Sequence, residues 1–257
     1  MTLDDLPCYH ILGTPVRATS YEDLTHFCQE RSTGSNVVSV DFSNTQIVTM
    51  RRLDPRFREE TSRVDFFIPD GMPLIWCLNL QKANLKDRVY GPSFMRHCVT
   101  HSPKPYTHYF LGGSETCLKR LKLAFKSWQP EVQIIGMRNG YFKEEDSESI
   151  IQEINSLSPD FIWVGLGTPK QQSWIHQHKD QVHRGVMLAV GFAFDVNAGT
   201  KPDAPMWMQN WGLGWFFRLL SEPRRLLGRY FYYNFMFLYL LARGFLQGDV
   251  WKPGKEN

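Results

Sequence analysis

The stretch PDFIWVGLGTPKQQSWI, residues 159–175, constrains this chain most. Phe161–Val164 is a short apolar run suited to a strand buried on both faces, and Gly165 and Gly167 permit a tight turn beyond its end. Pro169 suits a first helical turn, where its missing N–H costs nothing. A strand, a glycine loop and a helix start offer free N–H groups and a positive dipole end to an anion. The same layout is also the ordinary strand–helix joint of an α/β protein. Thr168, Lys170, Gln171 and Gln172 tip the reading towards a phosphate-bearing ligand, because donors and a cation crowd where structure needs neither.

Similar strand-then-polar junctions recur along the chain. Val37–Val40 reads as a strand closing on Asp41, with a helical stretch following through Pro55 to Val64. Phe66–Pro69 is a second strand, ended by Asp70-Gly71 before the apolar helix of residues 72–80. Residues 109–111, 132–137 and 186–190 add further strands, alternating with helices to about Trp128 and over 147–157. The pattern predicts an α/β fold: a Rossmann-like, mostly parallel sheet with flanking helices over residues 1–200. Open sheets of this kind bind ligands beyond the carboxyl ends of their strands, which makes Ser39, Asp41, Asn44, Asp70 and Asp195 candidates. Asn44 reads equally as a helix cap, and Asp70 as a cap or a general base. Arg88, before a Gly-Pro helix entry, can pair with phosphate or lie on the surface. Gly112-Gly113 forms a second, weaker phosphate-type turn, and no G-x-G-x-x-G follows the first strand, which argues against a dinucleotide oxidoreductase.

The chain of 257 residues has room for a large core. Its net charge of +3 is too small to imply nucleic acid. Five scattered cysteines without a C-x-x-C argue for a reducing cytoplasm and against a zinc site, and no signal peptide is visible. His176, His178 and His183 read as cations near a helix end rather than as metal ligands.

From Lys201 the character changes to an aromatic, arginine-rich segment, residues 201–257, expected to be a helical appendage. Arg218, Arg225 and Arg229 recur at a spacing that shares one helical face, with Pro223 interrupting or starting a helix between them. The run 226–246 approaches the roughly 20 apolar residues of a membrane span but carries Arg229, Asn234 and Arg243. The segment is expected to lie on an anionic membrane surface, or else to pack on the core or a second subunit. Removing it after about Arg218 is expected to leave the sheet domain folded.

PDGMPLIW, DRVYGPSFM, FLGGS, NGYF, PDFIWVGLGTPKQQSWI, VGFAFDVNAG and GWFFRLLSEPRRLLGRY, in this order, resemble the WecG/TagA/CpsF family of bacterial glycosyltransferases. The resemblance implies transfer, with inversion and without metal or cofactor, from a UDP-sugar to a polyprenyl-diphosphate-linked sugar. It implies peripheral attachment to the inner face of the cytoplasmic membrane through the C-terminal appendage. By the same resemblance Asp70 is the base, Gly165–Lys170 with Gln171 the donor loop, and Arg218, Arg224 and Arg225 the appendage arginines. The family usually carries Thr, Asn and Glu where this chain has Ser39, Asp41 and Gln172. A carboxylate at position 41 beside the donor would repel a uronic acid by roughly 4 kcal/mol at about 4 Å and a dielectric near 20, favouring a neutral hexose or N-acetylhexosamine. The same substitutions keep open a catalytically silent sugar-nucleotide or lipid-diphosphate binding protein.

Overall fold

Period-two burial along the strands decides the architecture. In the computed structural model, which describes residues 6–102 and 105–254, Trp163 faces one layer of helices while Ile162 and Val164 face the other. The chain opens with a hairpin, β1 (Cys8–Ile11) and β2 (Thr14–Arg17), then α1 (Tyr21–Ser32), β3 (Val38–Ser43), α2 (Thr45–Leu53), α3 (Pro55–Glu60) and β4 (Phe66–Pro69). Next come α4 (Met72–Leu80), α5 (Gly91–Thr100), β5 (Thr107–Gly112), α6 (Glu115–Trp128), β6 (Gln133–Arg138) and α7 (Ser147–Leu157). The core closes with β7 (Phe161–Gly165), α8 (Lys170–His178), β8 (Val186–Ala189) and α9 (Ala193–Asn197), followed by α10 (Met206–Asn210), α11 (Gly214–Ser221) and α12 (Pro223–Gln247).

The strands form one sheet in the order β1-β2-β4-β3-β8-β7-β5-β6, parallel except for the β1–β2 hairpin. This is the expected α/β, Rossmann-like class, extended by a hairpin and a first helix that the apolar pattern did not announce. β3, β4 and β8 are buried along their whole length because helices cover both faces. α1, α5, α6 and α9 cover one face through Phe27, Phe94, Phe125 and Phe194, while α7 and α8 cover part of the other through Ile154 and Trp174.

Two expectations shift. The stretch through Pro55 is two helices, because Asp54 ends α2 and its carboxylate accepts from the N–H groups of Arg56 and Phe57 to start α3. The strand expected to close on Asp41 instead runs to Ser43, so Asp41 lies inside it rather than beyond its end.

The C-terminal segment is sewn into the core. Phe237, Leu240 and Val250 share an apolar cluster with Ile11 and Val16 of the hairpin, Val48 of α2 and Leu74 of α4. The Leu12 N–H donates to the Val250 carbonyl at 3.2 Å. Deleting everything after Arg218 would therefore strip apolar cover from the hairpin, α2 and α4.

Backbone crowding fixes the floor of the crevice. Gly112 pairs with Gly165 across β5 and β7, and a Cβ on Gly112 would lie 2.4 Å from the Gly165 carbonyl carbon, at φ +136°. Gly167 has φ +79° but open space around it. In urea unfolding, Gly112→Ala is expected to lose about 2–4 kcal/mol and Gly167→Ala only about 1–2 kcal/mol. Equal losses would show that the close approach is not what requires glycine.

Candidate active site

The loops after β3, β4, β7 and β8 open on the same edge of the sheet, and α11 and α12 roof them. The result is a crevice of two chambers. The larger, of about 400 Å³, is bounded by Gly113, Gly140, Gly165, Gly167, Thr168, Lys170, Gln171 and Asp195 below, and by Lys201, Arg218, Arg225 and Arg229 above. The smaller, of about 130 Å³, is bounded by Thr45, Arg88, Tyr90, Asp203, Gln209, Trp215, Tyr233 and Asn234. Asn44, Asp70, Phe192, Arg218 and Tyr230 line both.

Asp70 therefore stands at the junction. Its N–H donates to the Ser43 carbonyl at 2.8 Å, tying it to β3, and its Oδ1 accepts from the N–H of Gly91 at the start of α5, also at 2.8 Å. It does not cap α4, whose N-cap is Gly71. Among the described residues its Oδ2 accepts no hydrogen bond. Burial pushes the carboxyl up to about 6, against the opposing pull of the Arg88 charge, the Gly91 N–H and Arg218. Arg88 is fixed by donating to the Asp70 carbonyl at 3.1 Å and to Gln209 Oε1 at 3.0 Å, with its guanidinium 4.2 Å from the Tyr90 ring centre.

The donor-type loop is braced from within. Gln171 Oε1 accepts from the Gly167 N–H at 3.1 Å, holding the turn, and Lys170 donates to the Gly140 carbonyl at 3.0 Å above the Phe142 ring. Gly113 lines the larger chamber, whereas Gly112 lies behind it and shapes it only through the approach to Gly165. Asp195 accepts from Thr200 Oγ1 at 2.8 Å and pairs with Lys201 at 3.6 Å.

Ser39, Asp41 and Arg224 lie elsewhere. Ser39 is fully buried and bonded to Asp65 and the Arg63 carbonyl. Asp41, equally buried, accepts from Ser43 Oγ at 2.5 Å and from Gln172 Nε2 at 2.7 Å. Both line neither chamber, because their side chains turn to Asp65 and to Gln172 of α8 rather than to the strand's end. Burial pushes the Asp41 carboxyl up, against the bonds from Ser43 and Gln172. Its repulsion of a uronic-acid donor accordingly has no basis. Arg224 is exposed on α12 and lines neither chamber. Arg218 is on α11, not on one helix with Arg225 and Arg229, yet the break at Pro223 brings all three to the larger chamber.

Sequence reasoning missed Tyr90, Asp203 and Gln209. Tyr90 Oη donates to Asp203 Oδ1 at 2.7 Å, and Gln209 bridges Asp203 and Arg88. Their signal was absent because the contact spans more than a hundred residues without periodicity. Asn44 is both of its alternatives at once, accepting from the Gln46 and Ile47 N–H groups while facing the two chambers. No group of three His, Cys, Asp or Glu among the described residues is placed to hold a metal ion.

A Rossmann-like sheet with a partly buried carboxylate between an anion-binding type of loop and a second chamber is the frame of a group-transfer enzyme. The model of the Glycosyl transferase WecG/TagA/CpsF family matches residues 9–249, and the chain belongs to that family. It is similar to the N-acetylglucosaminyldiphosphoundecaprenol N-acetyl-beta-D-mannosaminyltransferase of Bacillus subtilis strain 168, at 28% identity over 183 residues, 71% of each chain. It is also similar to the protein of the same name from Staphylococcus aureus strain MW2, at 27% identity over 206 residues, 80% of each chain.

The raised Asp70 value has a sign. Its folded pKa of about 6 exceeds the ordinary 3.8, so its stabilising contribution is complete below 3.8 and lost as pH rises through about 6. Asp70→Asn is expected to be more stable than wild type by about 1–3 kcal/mol at pH 7.5, with the gap closed by pH 4. Thermal melts at the two pH values measure this, and a mutant no more stable at pH 7.5 would place Asp70 in water.

Proposed function

We propose that the protein transfers a sugar from a UDP-sugar to a polyprenyl-diphosphate-linked sugar, with inversion, in bacterial cell-wall polymer or extracellular polysaccharide synthesis. The observation that carries this reading is Asp70 at the junction of the two chambers. With the donor in the larger chamber and the acceptor sugar in the smaller, an acceptor hydroxyl oxygen bonds to the anomeric carbon and its proton passes to the Asp70 carboxylate. The anomeric C–O bond to the diphosphate breaks on the opposite face, and its electron pair leaves with UDP. Charge develops on that diphosphate, where Arg218, Arg225, Arg229 and Lys201 form the wall. The Nε groups of Arg218 and Arg229 are buried without a hydrogen-bond partner, a costly state that an anion relieves. The names of the relatives supply the nearest substrates, an N-acetylmannosamine donor group and N-acetylglucosaminyl-diphosphoundecaprenol as acceptor. Ser39, Asp41 and Gln172, whose departures favoured a silent binding protein, line neither chamber and give that alternative no support.

An acceptor of this kind lies in a membrane. No described helix is long and apolar enough to cross one, but Trp211, just past α10, and Phe231, Phe235, Leu238 and Leu246 of α12 are exposed, with Leu246 91% exposed. These side chains suit the inner face of the cytoplasmic membrane at headgroup depth.

Two experiments test the reading. UDP release from a panel of neutral UDP-sugars, with a short-chain polyprenyl-diphosphate N-acetylglucosamine, is expected to depend on acceptor and to fall on the order of a hundredfold or more in Asp70→Asn. The wild-type kcat/KM is expected to rise from pH 5 to 7 as Asp70 ionises. Near-normal turnover in the mutant would leave Asp70 a structural cap. In flotation, Phe231→Ser with Phe235→Ser and Leu238→Ser is expected to weaken binding to anionic vesicles at least tenfold while the fold is kept. Unchanged flotation, with sedimentation showing loss of a dimer, would assign that face to a second copy of the chain.

A further inference from the structure

One buried polar atom beside the junction has no partner and no part in the chemistry above. Asn234, on α12, lines the smaller chamber. Thr45 Oγ1, on the first residue of α2, donates to its Oδ1 at 2.9 Å. The other end, Nδ2, is buried with no hydrogen-bond partner. An orphaned amide N–H of this kind costs stability unless a ligand supplies an acceptor.

We infer that Asn234 determines acceptor-sugar specificity by donating from Nδ2 to the carbonyl oxygen of a 2-acetamido group. This rests on the glycosyl-transfer reading and deepens it. The chamber, about 130 Å³, is far below the about 300 Å³ at which drug-sized pockets begin, so it fits one sugar ring. Its walls near α12 are aromatic, with Trp215, Tyr230 and Tyr233 all on the lining. An acetamido group matches both features, because its carbonyl only accepts and its methyl suits aromatic faces. A hydroxyl in the same place brings a proton that needs its own acceptor, and Thr45 already takes one of the two lone pairs of Asn234 Oδ1. The site thus favours an amide over a plain hydroxyl.

The test compares two short-chain polyprenyl-diphosphate acceptors, one carrying N-acetylglucosamine and one carrying glucose, in wild type, Asn234→Asp and Asn234→Leu. Asn234→Asp keeps the oxygen that Thr45 needs but removes the donor, and Asn234→Leu removes both without adding charge. In both variants the acceptor KM for the N-acetylglucosamine compound is expected to rise on the order of tenfold to a hundredfold, while the glucose compound changes less than threefold and the UDP-sugar KM is unchanged. A wild-type preference that survives both substitutions overturns the inference. So does an equal loss on both acceptors with a lowered melting temperature, which would make Asn234 a helix-docking residue. If the wild type transfers to neither acceptor, the glycosyl-transfer reading fails separately. Calorimetric binding of the two acceptors then decides: a preference lost in Asn234→Leu supports the assignment, and equal or absent binding in the wild type overturns it.

Discussion

The crevice depends on keeping one carboxylate ionisable where most water has been removed. Burial raises Asp70, and only the Arg88 charge, the Gly91 N–H and Arg218 hold it back to about 6. That balance is tuned from far along the chain. Arg88 is held by Gln209, Gln209 also bonds Asp203, and Asp203 accepts from the Tyr90 phenol. The segment after the sheet therefore does more than roof the site, since it fixes the cation that opposes the effect of burial on Asp70. Arg218, from the same segment, is 3.6 Å from the Phe192 ring centre, which holds its charge over the junction.

The same dependence explains why the C-terminal helices belong to the fold as much as to the surface. α12 presents Leu226, Phe237 and Leu240 inward, with Phe237 and Leu240 in the cluster of the hairpin, while Phe231, Phe235 and Leu238 point outward. One face is held by the core and the opposite face is left apolar, an arrangement that water alone does not reward. A single helix thus lines the crevice on its inner side and keeps an apolar face exposed on its outer side.

Much of this was legible in the sequence, for a physical reason. Strands buried on both faces are apolar runs, and parallel strands end on one edge, so the runs before Asp70, Gly165 and Gly191 located the crevice directly. The hairpin at Cys8–Arg17 was not legible, because an edge pair with alternating exposure reads CYHI and TPVR, with a proline and no long apolar run. Ser39 and Asp41 misled because the strand continues two residues past Asp41 to Ser43, and in a sheet the alternation of side chains then turns both into the interior. Tyr90, Asp203, Gln209 and Asn234 depend on contacts between distant segments, for which no local pattern exists.

The cations of the larger chamber are graded by what already holds them. Glu222 pairs with Lys201 at 2.9 Å and also with Arg225, stapling the bend between α11 and α12, and Lys201 reaches Asp195 as well. Partly exposed pairs such as these are worth little in water, on the order of 0–1 kcal/mol, so a diphosphate of higher charge can compete with Glu222 for both cations. Arg218 and Arg229 have no such partner at Nε and face the chamber with a buried donor unsatisfied. An anion in that chamber would meet the two arginines with unsatisfied Nε donors without having to displace Glu222. A single glutamate thus ties two cations of the chamber to the bend between α11 and α12.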